Sequence, residues 1–101
     1  MTGVCDRIAA EVSSWTGVTV HAHRFGGVEF RLGRRELGHV HRNGLVDVPF
    51  PVRIRERLVA EGTAEPHHVL PDSGWVSFRV RTEDDIPRAI DLFRLSYDRR
   101  S

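Results

Sequence analysis

The hydrophobic period of the chain changes several times, and each change marks an element. Val4, Ile8, Val12 and Trp15 recur at helical spacing, which predicts a first helix from about Thr2, its N-cap, to Trp15. Gly17 ends it. Val18 to Arg24 then alternates apolar and polar, as a half-buried strand does. Phe25-Gly26-Gly27 reads as a turn, and Val28, Phe30 and Leu32 mark a second strand of period two. Gly33-Arg34-Arg35 turns into a third strand near Glu36–Arg42, and Asn43-Gly44 is a strong hairpin signal leading to a fourth over Leu45–Phe50.

Pro49 and Pro51 stop this meander, and Pro51 suits the first turn of a helix whose buried side is Val52, Ile54, Leu58 and Val59, with Gly62 as terminator. Residues 63–74 read as an irregular connection holding Pro66, His67, His68 and Pro71. A last strand spans Trp75–Arg81, with Val76, Phe78 and Val80 on one face. Thr82 followed by Asp85 resembles a capping box, and Ile86, Ile90, Phe93 and Tyr97 repeat along a closing helix. The expected fold is α+β: an antiparallel sheet of about five strands with helices on one face, in the order α-β-β-β-β-α-β-α. The other sheet face is left open, available to a ligand or a dimer partner.

Length and composition narrow this further. A chain of 101 residues with 40% hydrophobic and 29% charged content reads as one soluble globular domain over 1–101. The net charge of +1 offers no strong field for nucleic acid or membrane, so neither partner is expected. All 15 basic residues are arginine. Cys5 is the single cysteine, which rules out an internal disulfide and any multi-thiolate metal site. With no signal peptide and no apolar run long enough to span a bilayer, a cytoplasmic location is expected.

The candidate chemistry lies in six histidines, grouped as His21-x-His23, His39-x-His41 and His67-His68. Positions i and i+2 of a strand share a face. Val18, Val20 and Ala22 are expected to face the core, which turns Thr19, His21 and His23 outward as surface or interface residues. Glu29 and Arg31 join that outward face, as do Trp75, Ser77, Arg79 and Arg81. The third strand is ambiguous: Leu37, His39 and His41 share one face, so either Leu37 is exposed or the two histidines sit in a pocket at the edge of the core. Gly38 leaves room for another chain segment to approach. His67 and His68 sit on a loop held by two prolines, the kind of segment that carries function on a rigid sheet.

The stretch Arg35-Glu36-Leu37-Gly38-His39-Val40-His41 resembles the luciferase domain of bioluminescent fungi and its bacterial relatives, which carry a similar Arg-Glu-(Ile/Leu)-(Ala/Gly)-His-x-His run. The resemblance continues through a short helix ending in glycine, His68-Val69-Leu70, Trp75 at the head of a strand and an acidic helix start at Glu83–Asp85, and covers about the last two thirds of the chain. It implies a site in which His39, His41 and His68 bind or deprotonate an acidic organic ligand, with His67, Trp75 and Glu36 as further ligand-binding residues. The fungal enzymes oxidise a hydroxylated pyrone with dioxygen, without a conventional metal or flavin. This chain departs from them in being much shorter, in lacking the N-terminal membrane segment, and in having Val69 where they have proline. The Trp-led strand and the closing helix with Ser96-Tyr97 also resemble the YjbR-like double-wing family, whose DNA-binding label finds little support in the charge balance.

Three readings follow. In the first, a cofactor-independent, oxygenase-like or acid/base site uses His39 or His41 as general base, His68 as partner and Trp75 as a stacking wall. In the second, the open sheet face is a non-catalytic interaction module that docks a partner or forms a homodimer. In the third, His39, His41 and His68 hold zinc or iron, with Glu36 and Asp47 the nearest carboxylates in sequence.

Overall fold

A computed structural model describes residues 3–100 of the chain. The elements are α1 (Val4–Val12), β1 (Val18–His23), β2 (Gly27–Leu32), β3 (Arg35–Val40), β4 (Leu45–Pro49), α2 (Val52–Ala60), β5 (Glu65–Pro66), β6 (Trp75–Arg79) and α3 (Asp85–Arg100). The expected order stands, with one addition. The connection after α2 contributes the two-residue strand β5, so the open antiparallel sheet has six strands in the order β1-β2-β3-β4-β6-β5.

Local chemistry explains the element ends. The expected N-cap Thr2 lies outside the described residues; Gly3, with φ 95°, precedes α1. The Asp85 carboxylate, at the first residue of α3, accepts hydrogen bonds from the backbone N–H groups of Arg81 and Thr82 and so ties the incoming chain to the helix start. α1 packs on α3 and β2, and α3 packs on β3 and β4. Between these helices and the sheet lie Ile8, Val12, Phe30, Val40, Val46, Val48, Val76 and Phe93, all fully buried.

Two expectations about burial need correction. β1 is the sheet's edge, and Val20, meant for the core, is 47% exposed. Alternation gave its direction correctly, since Val20 pairs with buried Phe30, but no helix covers that end of the row. Val52 is likewise exposed at the start of α2, where Leu58 is the buried residue.

The ambiguity in β3 has a structural answer. The register between β2 and β3 shifts between Phe30 and Arg31, so that Phe30 pairs with Gly38 while Arg31 pairs with Glu36. Leu37 is the extra residue of this bulge, and it turns into the core with no exposure. Glu36 thereby joins the face that carries His39 and His41. The backbone at Gly38 has φ 147°, and a Cβ there would sit 2.7 Å from the Phe93 ring and 2.8 Å from the Asp47 carbonyl oxygen. Only glycine combines that conformation with that close approach. The segment expected to approach Gly38 is α3, through Phe93, whose ring also meets Phe30 edge-on at 5.2 Å.

Candidate functional site: a histidine–aspartate face

Cross-strand pairing builds one polar row across the whole sheet. His21 pairs with Glu29, Glu29 with His39, His39 with Asp47, Asp47 with Ser77 and Ser77 with Glu65. Residues directly opposite one another share a face. The next row, Val28, Val40, Val46 and Phe78, faces the helices. The polar row therefore lies on the face away from α1 and α3.

Asp47 is its centre. It is 1% exposed, and its carboxylate accepts hydrogen bonds from Ser77 Oγ at 2.6 Å, His41 Nε2 at 2.8 Å and His39 Nε2 at 3.1 Å. Burial would push this carboxyl's pKa up, but the bonds from His39, Ser77 and His41 hold it far below the usual carboxylate range. Asp47 is ionised at any ordinary pH.

His39 sits between two carboxylates. Its Nδ1 bonds Glu36 at 2.6 Å while its Nε2 bonds Asp47. Burial alone would lower the imidazole's pKa, yet the two carboxylates outweigh it and raise it from 6.5 to about 9. His39 is consequently an imidazolium at neutral pH, with both N–H groups donated. His41 differs, because only its Nε2 is engaged; among the described residues Nδ1 has no hydrogen-bond partner.

The remaining rings surround this pair. His23 stacks on His39 with ring centres 4.0 Å apart, and its Nδ1 bonds Glu29 at 3.2 Å. The Trp75 ring lies tilted to the His39 ring, with centres 5.4 Å apart. The loop after β5 brings His67 Nε2 to 3.8 Å and His68 Nδ1 to 3.9 Å from Asp47, and His68 Nδ1 reaches Ser77 Oγ at 3.4 Å. His67 Nδ1 accepts the backbone N–H groups of Val69 and Leu70, each at 3.1 Å, and burial lowers the ring's pKa. That pattern describes a neutral imidazole with its proton on Nε2.

The structure thus brings together His39, His41, His67, His68, Trp75 and Glu36. His21 stays apart, exposed and bonded to Thr19. His23, expected to be a surface or interface residue beside it, instead belongs to the cluster. Asp47 and Ser77 are the central residues that sequence reasoning undervalued.

Two groups have donor atoms within 4.8 Å of one another and are close enough to hold a metal ion: His23, His39 and His41, and Asp47, His67 and His68. The hydrogen bonds fit protons better than a cation. A metal-bound histidine ordinarily donates its second N–H outward, whereas His67 accepts with Nδ1, and both nitrogens of His39 donate to carboxylates.

The fold and site together define an α+β open-sheet domain with a buried histidine–aspartate cluster on the sheet face away from α1 and α3. The family model of the luciferase domain matches residues 34–96, and the chain belongs to that family. Apart from His23 and Glu29, the cluster falls inside the matched span. No curated protein and no solved structure gives a significant match. No helix among the described residues is long and apolar enough to cross a membrane.

Proposed function

We propose that this face binds a small acidic organic molecule of the enol or phenol kind and takes a proton from it. The observation that carries the reading is the Asp47–His41 contact. A buried carboxylate holds His41 Nε2 at 2.8 Å, leaving Nδ1 of a partly exposed ring as the open position. In the neutral form this fixes the tautomer with its lone pair on Nδ1, as a buried aspartate does for a catalytic histidine. Protonation then makes an imidazolium paired with Asp47.

His39 plays a different part. Both of its nitrogens are committed to Glu36 and Asp47, so it holds these two carboxylates in place and offsets part of their charge rather than taking the ligand's proton itself. Trp75 and His23 offer flat ring faces for a planar ligand, and His68, with a half-exposed side chain, stands at the rim. Loss of a proton turns an enol into an electron-rich anion, the form in which it reacts with dioxygen; the luciferase family makes that oxidation the next step to test.

The test is a titration with a methyl-substituted hydroxypyrone, followed by its absorbance and by histidine NMR. Wild type is expected to bind it as the anion, and folded His41→Ala is expected to bind at least about tenfold more weakly. Dioxygen uptake in the same samples reads out oxidation. Equal affinity in a folded His41→Ala variant, or no binding to wild type at millimolar pyrone, overturns the reading.

The interaction-module reading has one observation in its favour. Val69 and Leu70, on the loop that carries the histidines, are 67% and 52% exposed, and Phe25 is 91% exposed with φ 57°. If this surface forms a homodimer, sedimentation gives twice the chain mass and Leu70→Asp returns it to monomer; a wild-type monomer removes the homodimer form of this reading.

A further inference from the structure

A second site lies away from the histidine face, where the last turns of α3 meet the start of β3 and the β4–α2 junction. A cavity of about 230 Å³ opens there. Its charged lining is Arg35, Arg99 and Arg100, and its apolar wall is Pro49-Phe50-Pro51. Ser96 completes it.

Two independent features of this lining are unexplained by the fold. First, three guanidiniums gather around one cavity that no carboxylate lines, and none of the three has an ion-pair partner among the described residues. Burial and the neighbouring charges of Arg35 and Arg99 depress the pKa of Arg100, so the three guanidiniums feel one another. Placement at a helix C-terminus favours Arg99 and Arg100 through the helix dipole, but it leaves Arg35 unaccounted for. Second, Ser96 is 1% exposed and its Oγ has no hydrogen-bond partner among the described residues. Buried hydroxyls are nearly always satisfied, in a helix commonly by the carbonyl one turn back. Here no such bond is present among the described residues, and Ser96 is one of the residues that line the cavity.

The geometry points to an oxyanion site: the cavity takes a phosphate-type anion on the Arg35, Arg99 and Arg100 guanidiniums, with Ser96 Oγ donating to it. Guanidinium N–H groups match tetrahedral and carboxylate oxyanions in paired contacts. The volume exceeds that of inorganic phosphate, so a small organic substituent fits beside it, against Phe50 and Pro51. The preferred ligand class is therefore a phosphate monoester with a compact apolar group. No residue here belongs to the histidine cluster, so the site stands or falls separately from the proton-transfer reading.

The experiment uses the full chain in low-chloride buffer, titrated with inorganic phosphate and then with phenyl phosphate, and followed by backbone and arginine side-chain NMR. Saturable shifts are expected at Ser96, Arg99 and Arg100, with phenyl phosphate binding more tightly than phosphate. Arg35→Ala with Arg99→Ala is expected to weaken phenyl phosphate at least about tenfold while leaving the histidine resonances in place. Ser96→Ala, which removes only one donor, is expected to weaken it about threefold. Shifts spread evenly over all arginines, absence of saturation, or an unchanged affinity in the folded double variant overturns the proposal.

Discussion

Replacing Asp47 by asparagine keeps the shape of the side chain and removes the charge on which three hydrogen bonds converge. The bonds come from His39 Nε2, His41 Nε2 and Ser77 Oγ, at a position 1% exposed. Breaking a buried ion pair by deleting one partner costs about 3–5 kcal/mol. Asparagine still accepts through one oxygen, and His39 can shed a proton and keep its bond to Glu36, so the lower end, about 3 kcal/mol, is the expected loss at pH 7. With a urea slope of about 1.5 kcal/mol per molar, the unfolding midpoint drops by about 2 M.

The penalty also has a pH signature. The pKa of Asp47 is lowered from 3.8, so its contribution is present above that value and fades as pH falls through the folded pKa. The pKa of His39 is raised from 6.5 to about 9, so its contribution is complete below 6.5 and is lost as pH rises through about 9. The gap between wild type and Asp47→Asn is therefore expected to be widest near pH 6 and to narrow by pH 10. A midpoint change under about 0.3 M at pH 7, or a gap equally wide at both pH values, refutes the claim that the Asp47 charge organises the cluster.

Other consequences can be checked independently. Wild-type stability is expected to fall by about 3 kcal/mol between pH 6.5 and 10 through His39, a fall that His39→Gln lacks in urea melts. In a Trp15→Phe background, Trp75 emission is expected to rise as the His39 imidazolium 5.4 Å away loses its proton near pH 9; a flat profile contradicts the raised pKa. Gly38→Ala is expected to destabilise by about 3 kcal/mol, because its Cβ meets both Phe93 and the Asp47 carbonyl at positive φ; calorimetry showing less than about 1 kcal/mol contradicts the packing described. Elemental analysis of purified protein is expected to show no stoichiometric zinc or iron, and one ion per chain would overturn the proton assignments at His39 and His67.

Much of this arrangement was legible in the chain. Period-two alternation placed Ser77 and Trp75 on the face opposite the helices, and the His-x-His spacing put His39 beside His41. Asp47 was harder to see because of one residue in a turn. A two-residue loop at Asn43-Gly44 sets Asp47 across from Val40. The chain instead uses three residues, with His41 N–H bonded to Leu45 O and Gly44 N–H to His41 O, and this puts Asp47 across from His39. The bulge at Leu37 had a signal, a glycine inside a strand pattern, but its effect of delivering Glu36 to His39 depends on register. His23 was assigned outward correctly but as a surface or interface residue rather than a member of the cluster, because the stack on His39 comes from tertiary pairing at the end of β1. The loop carrying His67 and His68 has no periodicity from which a direction could be read.

The central claim is that Asp47 and Glu36 fix distinct proton states on neighbouring histidines and so prepare His41 to accept a proton. Nitrogen-detected NMR of the imidazoles at pH 7, with and without a methyl-substituted hydroxypyrone, tests it most directly. The expected spectrum shows His39 protonated on both nitrogens and His67 neutral with its proton on Nε2, and pyrone addition moves His41 Nδ1 into the protonated range. A neutral His39, or a His41 Nδ1 signal that the bound pyrone leaves unchanged, contradicts the account.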